Sequence, residues 1–307
     1  MASSAHKKDP VEAEAKAAAA EAANVARDEV YESNAGSAPG LTKLQKANAQ
    51  AREAAKSKWH DFMVDVWITP FNEIEFGFWK KERNKGKSRQ FTTDMDVFAE
   101  IVEYGERTGV LGYRKELWDT ATGMDKRLVF KLFSETLNWR ASMDLMLARS
   151  IQQTIGARGL PVTSFLINTY DDDYVVTLER SANKWPLMPE HFSFFIMEDG
   201  TPRFYRLTRD FINIGGDYTL IDQHGETVGH LDGSILTIGG KWFGTVRGDH
   251  ADPRVMMVMK LFAGMIVFNK AVRRHVKALA YDVAAGRVEP GLQRQESDLY
   301  LNPRRVR

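Results

Sequence analysis

The sequence has no cysteine, and this absence excludes several kinds of chemistry. Without a thiol the chain can form no disulfide bond, thiolate zinc site or iron–sulfur cluster, and it has no cysteine nucleophile. Positive and negative charges almost cancel, leaving a formal net charge of +1. Binding to nucleic acid or to an anionic membrane must therefore come from a local cluster of charge. No apolar signal-peptide core follows Met1, so we expect a cytoplasmic protein.

Catalytic and cofactor motifs are also missing. The seven histidines lack the spacing of a metal site, and the sequence contains no GxGxxG, P-loop or GxSxG motif. Asp171, Asp172 and Asp173 lack the spaced ligands and the glycine of an EF-hand, so we interpret them as an acidic turn rather than a calcium site. We therefore expect a protein that is not an enzyme and that uses no metal or cofactor.

Residues 1–57 differ from the rest of the chain in composition. Ala, Glu and Lys dominate this segment, and Tyr31 is its only aromatic residue. Such a segment can form transient helix but cannot bury a core, which predicts a disordered tail. Two interpretations stay open: a solubilising tether, or a helical segment that docks on a partner.

A strongly basic stretch follows an aromatic-rich segment that begins at Trp59. The alternation in residues 72–79 predicts a half-buried strand. Residues 80–89 then contain six bases and one acid. This composition indicates an exposed loop, either a solvated connector or a patch that binds the phosphates of lipid headgroups or nucleic acid. The candidate ligand-binding residues are Lys80, Lys81, Arg83, Lys85, Lys87 and Arg89.

Residues 93–104 and 125–155 are predicted to form two helices, the second apolar on more than one face. Residues 58–158 would then form an aromatic-rich strand segment with a helical subdomain. A winged-helix arrangement over residues 91–155 is the alternative. The second helix mixes acids and many apolar residues with its bases, so we do not expect it to bind DNA.

From residue 159 to residue 280 the sequence predicts an antiparallel sheet and one helix. Apolar residues alternate in short runs, and the pairs Asp199-Gly200, Asp232-Gly233 and Gly239-Gly240 suit tight hairpin turns. The predicted strands are 162–168, 174–178, 192–197, 202–207, 211–214, 218–222, 227–231, 235–238 and 241–247. Closely spaced hairpins indicate an up-and-down sheet or a closed barrel.

An apolar helix follows this sheet. Asp252 suits the N-cap and Pro253 the first helical position. Residues 255–268 are apolar on all sides but too short to span a membrane, so we expect protein to surround them. The bases Lys270, Arg273, Arg274, His275 and Lys277 complement the helix C-terminus. Residues 281–307 are predicted to form a loose tail.

A repeat within the sheet resembles a known family. Residues 211–218 and 235–242 share an apolar strand, a Gly-Gly turn and an aromatic residue, and Asp222 and Gly225 fit an Asp-x-x-Gly turn. Over residues 204–279 the chain resembles the LURP-one-related proteins and, more distantly, the phospholipid scramblases. The resemblance implies a tubby-like fold, in which a closed antiparallel barrel surrounds an apolar C-terminal helix.

The residues and the resemblance lead to one expected function and one alternative. We expect a non-enzymatic, LURP-one- or scramblase-like protein that binds anionic lipid headgroups, peripheral to a membrane, through residues 80–89 with help from the bases at 270–277. The alternative is an interaction or scaffold module that assembles with a protein partner or a second copy through its helical segment and N-terminal tail. We do not expect nucleic acid as a partner.

Overall fold

In the part of the chain that the computed structural model describes, twelve antiparallel strands close into a barrel around one long helix. The structure describes residues 58–66, 90–170, 175–182, 189–198, 200–210, 217–234, 240–289, 291 and 296. The strands are β1 (Trp59–Val66), β2 (Met95–Glu103), β3 (Glu106–Arg114), β4 (Val129–Ser134), β5 (Trp139–Leu145), β6 (Ser164–Thr169), β7 (Val176–Arg180), β8 (His191–Glu198), β9 (Thr201–Arg209), β10 (Tyr218–Asp222), β11 (Thr227–Ser234) and β12 (Lys241–Arg247). The two α-helices are α1 (Leu147–Gly156) and α2 (Pro253–Ala284).

Each strand pairs with the strands before and after it in sequence, and β1 pairs with β12 to close the barrel. Trp59 lies opposite Arg247 in this closing pair. We call the end of the barrel that contains these two residues the upper end, and the opposite end, where β1 finishes at Val66, the lower end. Because α2 begins shortly after β12, it enters the barrel at the upper end and leaves it at the lower end.

The core of the protein lies between the inner face of the barrel and α2. Alternation along β8 places Phe192, Phe194 and Ile196 inside, where they are buried. Phe262 of α2 is completely buried and packs edge-on against the ring of Phe192, with 4.9 Å between ring centroids. Full burial of a side chain of this size stabilises the folded state by about 1.5–3 kcal/mol. The apolar surface of α2 is therefore explained by the barrel that encloses it.

Several sequence predictions are confirmed. The α+β architecture, a closed antiparallel barrel around an apolar C-terminal helix, is the tubby-like arrangement that was expected. Strands β10 and β12 have the predicted bounds. Asp252 caps α2, since its side chain accepts a hydrogen bond of 2.8 Å from the backbone N–H of Arg254. Asp222 begins a tight turn in which Gly225 donates its backbone N–H to the carbonyl oxygen of Asp222.

The helix predicted for residues 93–104 is wrong, because Met95–Glu103 forms strand β2. An irregularity in the pairing of β2 with β3 lies between Val97 and Ala99. Met95 and Val97 belong to an apolar cluster with Phe91, whereas Phe98, Ala99 and Ile101 belong to the main core. A β-bulge switches the buried face at this point. The resulting spacing of apolar residues imitates the period of a helix.

The long helix predicted for residues 125–155 is also wrong, apart from its final part. These residues form β4, β5 and then α1. Residues on both faces of β4 are buried, and its apolar residues stand in the pairs Val129-Phe130 and Leu132-Phe133 around Lys131, so its sequence shows no alternation. The winged-helix alternative is wrong for the same reason. Strands β1 to β5 belong to the barrel itself, where the sequence predicted a helical subdomain.

Two further differences concern turns and helix length. The turn predicted at Asp232-Gly233 is wrong, because both residues belong to β11. Helix α2 continues to Ala284, well beyond the predicted apolar segment. Among the described residues it is the one helix long and apolar enough to cross a membrane, and 72% of its most apolar window is buried inside the protein. A core helix passes the same test, and α2 is such a helix.

The predicted tail of residues 1–57, the strand at 72–79 and the acidic turn at Asp171, Asp172 and Asp173 lie outside the described residues. The same is true of the predicted strands 211–214 and 235–238 and of most of residues 290–307.

Candidate anion-binding site

A cavity of about 650 Å³ lies at the lower end of the barrel, where α2 leaves the core. Helix α2 provides one wall, and the lower ends of strands β9, β10 and β12 provide others. The lining residues are Pro161, Glu190, Arg209, Tyr218, Trp242, Ile266, Asn269, Lys270, Arg273, Arg274 and Lys277. Basic side chains are thus concentrated around this cavity.

The helical period explains why α2 contributes four of these bases. Lys270, Arg273, Arg274 and Lys277 follow the spacing i, i+3, i+4 and i+7, which places them on one face of a helix. Lys270, Arg274 and Lys277 are exposed, and within the described part of the chain none of them forms an ion pair. The sequence could therefore predict the face, although it could not predict the cavity that the face lines.

Arg209 brings a fifth base from the other side of the cavity. It is the last residue of β9, and its backbone N–H donates to the carbonyl oxygen of Glu190 at 2.8 Å. The bases on α2 follow Arg209 by about sixty residues in sequence, and only closure of the barrel brings them to the same cavity. No local sequence pattern indicates this relationship.

Glu190 is the one carboxylate among the described residues that line the cavity, and hydrogen bonds engage both of its oxygens. Oε1 accepts from the guanidinium groups of Arg180 and, at 3.5 Å, Arg273. Oε2 accepts from the hydroxyl of Tyr218 at 2.9 Å and from Nδ2 of Asn269 at 3.1 Å. Burial acts to raise the pKa of Glu190, but the charge of Arg180 and these hydrogen bonds hold it below its ordinary value. Glu190 is therefore ionised near neutral pH.

The charge balance of the site favours an anion. Glu190 offsets Arg180, with which it forms an almost completely buried ion pair. Burial lowers the pKa of Arg273, but a guanidinium stays protonated in proteins. Among the described residues, five cationic side chains thus line the cavity, and the one carboxylate there is already paired. Guanidinium and ammonium groups in this arrangement suit phosphate oxygens.

The sequence analysis partly anticipated this site. Lys270, Arg273, Arg274 and Lys277 were noted as bases at a helix C-terminus, and the structure brings them together at a cavity. His275 does not join them, because its Nε2 contacts the carbonyl oxygen of Lys126 at 2.9 Å and burial lowers its pKa. Glu190, Asn269 and Arg209 were missed. Of these three, only Asn269 could have been recognised from the sequence, because it is a polar residue directly after a long apolar run.

The candidate residues Lys80, Lys81, Arg83, Lys85, Lys87 and Arg89 lie outside the described residues. The strands on either side of this stretch are described. Strand β1 ends at Val66 and β2 begins at Met95, and both of these residues belong to the lower end of the barrel.

A second cavity, of about 210 Å³, lies at the upper end. Its charged groups are largely paired with one another. Arg247 donates to the carboxylate of Asp249 at 2.7 Å and to Glu226 at 3.1 Å, and Arg203 pairs with Glu198 at 2.9 Å. Within the described part of the chain no group of three His, Asp or Glu residues could hold a metal ion. The lower cavity is therefore the stronger candidate for a binding site.

Comparison of the chain with models of protein families, with curated proteins and with solved structures returned no match. The architecture therefore defines the class of this protein: a closed antiparallel barrel of tubby-like arrangement with a basic cavity where its central helix emerges.

Proposed function

We propose that this protein is a non-enzymatic binding protein that holds anionic phospholipid headgroups at the lower end of its barrel. The basic face of α2 is the observation that carries the proposal. Lys270, Arg273, Arg274 and Lys277 line a cavity opposite Arg209, and Glu190, the one carboxylate that the described lining contains, is already engaged. The lining offers cations and hydrogen-bond donors, which are the groups that bind a phosphate.

The energetics of a charged surface agree with this function. Each basic residue near an anionic leaflet contributes about 1 kcal/mol to binding, and the attraction falls off within a Debye length. Three exposed bases on one helix face would therefore give weak, reversible and salt-sensitive association. A peripheral position at the cytoplasmic face of a membrane follows from this proposal.

The proposal also relies on the resemblance of the sequence to the LURP-one-related and scramblase-like proteins. The closed barrel around α2 supports that resemblance, because it is the arrangement that the resemblance implied. The basic stretch at residues 80–89 joins two strands that meet the lower end, so it is a second candidate contact with the same membrane surface.

Vesicle sedimentation tests the function. Wild-type protein should sediment with phosphatidylserine-containing vesicles at low salt and be released at high salt, and it should not sediment with neutral phosphatidylcholine vesicles. The double variant Lys270→Glu/Arg274→Glu should lose most of this binding. The matched control is Lys58→Glu/Arg206→Glu, which makes the same change of charge at exposed positions away from the cavity.

A third variant, Lys85→Glu/Lys87→Glu/Arg89→Glu, measures the contribution of the basic stretch separately. Equal loss in the cavity variant and in its control would show that net charge, not this site, drives binding. The lipid function is wrong if the wild type sediments with no vesicle. If its molecular mass in solution then rises with protein concentration, the alternative function as an interaction module is supported.

A further inference from the structure

Two neighbouring residues of the cavity carry buried polar atoms that nothing satisfies. Asn269 and Arg273 lie one turn apart on α2, and both line the cavity. Within the described part of the chain, Oδ1 of Asn269 and Nε of Arg273 are buried without a hydrogen-bond partner. A buried polar group without a hydrogen-bond partner destabilises the folded protein, so these two atoms point to a missing partner.

Each of these side chains also contacts the buried carboxylate of Glu190. Nδ2 of Asn269 donates to Oε2 of Glu190, and a terminal nitrogen of Arg273 approaches Oε1 of the same carboxylate. Asn269 as a whole is only 7% exposed. The buried atoms of this pair that have no partner among the described residues are therefore one acceptor, Oδ1 of Asn269, and one donor, Nε of Arg273, on side chains one helical turn apart.

The phosphate of a fully ionised monoester or of a lipid diester satisfies the donor but not the acceptor, since its oxygens accept hydrogen bonds and do not donate them. A hydroxyl group satisfies both, because it donates one hydrogen bond and accepts others. The surrounding bases Lys270, Arg274 and Arg209 remain available for phosphate oxygens. The cavity thus combines a phosphate-binding rim with a site for a hydroxyl group deeper inside.

We infer that the lower cavity binds a phosphorylated polyol, with Lys270 and Arg274 on the phosphate and with Asn269 and Arg273 on a free hydroxyl of the alcohol. This inference rests on the proposed function, because it specifies the anion held at the same cavity. A glycerol phosphate, either free or as a lipid headgroup, has the required chemistry. A cavity of about 650 Å³ accommodates it.

Calorimetric titration with two matched ligands tests the inference. The ligand sn-glycerol 3-phosphate has the carbon number and phosphate of n-propyl phosphate but adds two hydroxyl groups. Wild-type protein should bind the glycerol compound about tenfold more tightly, the ratio that one hydrogen bond to a buried group provides. Inorganic phosphate serves as the reference for binding of the charge alone.

Two variants assign the preference to the proposed atoms. Asn269→Leu keeps the volume and removes the acceptor, so it should reduce the ratio to about one while phosphate binding persists. Arg273→Lys keeps the charge and removes Nε, so it should also reduce the affinity ratio. It provides the test if Asn269→Leu does not fold. Arg206→Lys, the same change at an exposed position that does not line the cavity, should leave the ratio unchanged.

The outcomes separate this inference from the proposed function. If none of the three ligands binds and anionic vesicles also fail, the proposed function itself is wrong. If all three bind with equal affinity, the function stands and the hydroxyl preference is refuted. A preference that survives both Asn269→Leu and Arg273→Lys also overturns the inference. Retention on phosphatidylglycerol vesicles assigns the polyol to a lipid, whereas binding of glycerol 3-phosphate without retention assigns it to a soluble ligand.

Discussion

Arg180 and Glu190 form an ion pair that is almost completely buried at the lower end of the barrel, with 4% and 7% of their side chains exposed. Removing one partner leaves a buried, unpaired charge. We expect Glu190→Gln to destabilise the protein by about 3–5 kcal/mol, measured by urea unfolding at neutral pH. The double variant Arg180→Met/Glu190→Leu should recover part of this loss, because it removes both charges of the pair, although Tyr218 and Asn269 lose their acceptor.

The pH dependence of this pair has a defined sign. Because the folded protein holds the pKa of Glu190 below 4.5, its contribution is present above that pH and is lost as pH falls further. Lys241 and Asp65 form a more exposed pair at 2.8 Å, and Lys241→Gln should cost less than about 1 kcal/mol. Equal losses of unfolding free energy in Lys241→Gln and Glu190→Gln would show that burial does not determine the cost of breaking these ion pairs.

Gly244 of β12 lies directly opposite Phe62 of β1 and leaves room for its ring. A Cβ atom at position 244 would overlap that ring, which is buried inside the barrel. We expect Gly244→Ala to destabilise the protein by about 1–3 kcal/mol through overpacking, seen as a lower urea midpoint. Gly156→Ala is the matched control: no atom lies within 4 Å of its Cβ position, so it should be neutral or stabilise α1 by up to about 1 kcal/mol. Equal effects of the two substitutions would refute the packing argument.

Asp144 gives a pH dependence of the opposite sign. Burial raises its pKa to about 6, although the charges of Arg127, Lys131 and Arg114 act to lower it. A carboxyl group whose pKa is higher in the folded state stabilises that state only while it is protonated, so stability is lost as pH rises from about 4 to about 6. The rise from 3.8 corresponds to about 3 kcal/mol.

Asp144→Asn stays neutral at every pH and tests this account. Its free energy of unfolding relative to wild type should increase by about 3 kcal/mol between about pH 4 and about pH 7. Urea unfolding of both proteins at each pH gives that difference. A difference that does not change with pH would show that Asp144 has an ordinary pKa in the folded protein.

Glu296 caps α1 from a distant part of the sequence. Met146 precedes this helix and provides no side-chain cap. The Glu296 carboxylate instead accepts the backbone N–H groups of Ala148 at 2.9 Å and Arg149 at 3.1 Å. A carboxylate at this position satisfies free N–H groups and complements the helix dipole.

Glu296→Ala should therefore cost about 1 kcal/mol and accelerate hydrogen exchange at Ala148 and Arg149. Glu296→Gln should retain part of the effect, because an amide oxygen still accepts a hydrogen bond. Glu289→Ala, at an exposed position, is the control. Unchanged exchange at both amides in Glu296→Ala would contradict the capping role.

The sequence revealed those elements whose signals are local. Asp252 and Pro253 predicted the start of α2 because capping and the fixed φ of proline act within a few residues. Strands β10 and β12 were predicted with correct bounds, since one face of each is partly solvated and their apolar residues alternate. Strands β2 and β4 were not recognised, because a bulge interrupts the alternation of β2 and burial on both faces removes that of β4.

The sequence by itself determined the barrel class, the apolar nature of the central helix and the basic face formed by Lys270, Arg273, Arg274 and Lys277. Each of these depends on a repeat of two or 3.6 residues, which can be recognised from residues close together in the sequence. Only the tertiary structure decided that this face meets Arg209, and that Glu190 pairs with Arg180 and contacts Asn269. The residues of α2 are far along the chain from Arg209 and Glu190, and closure of the barrel around α2 brings their charges into one cavity.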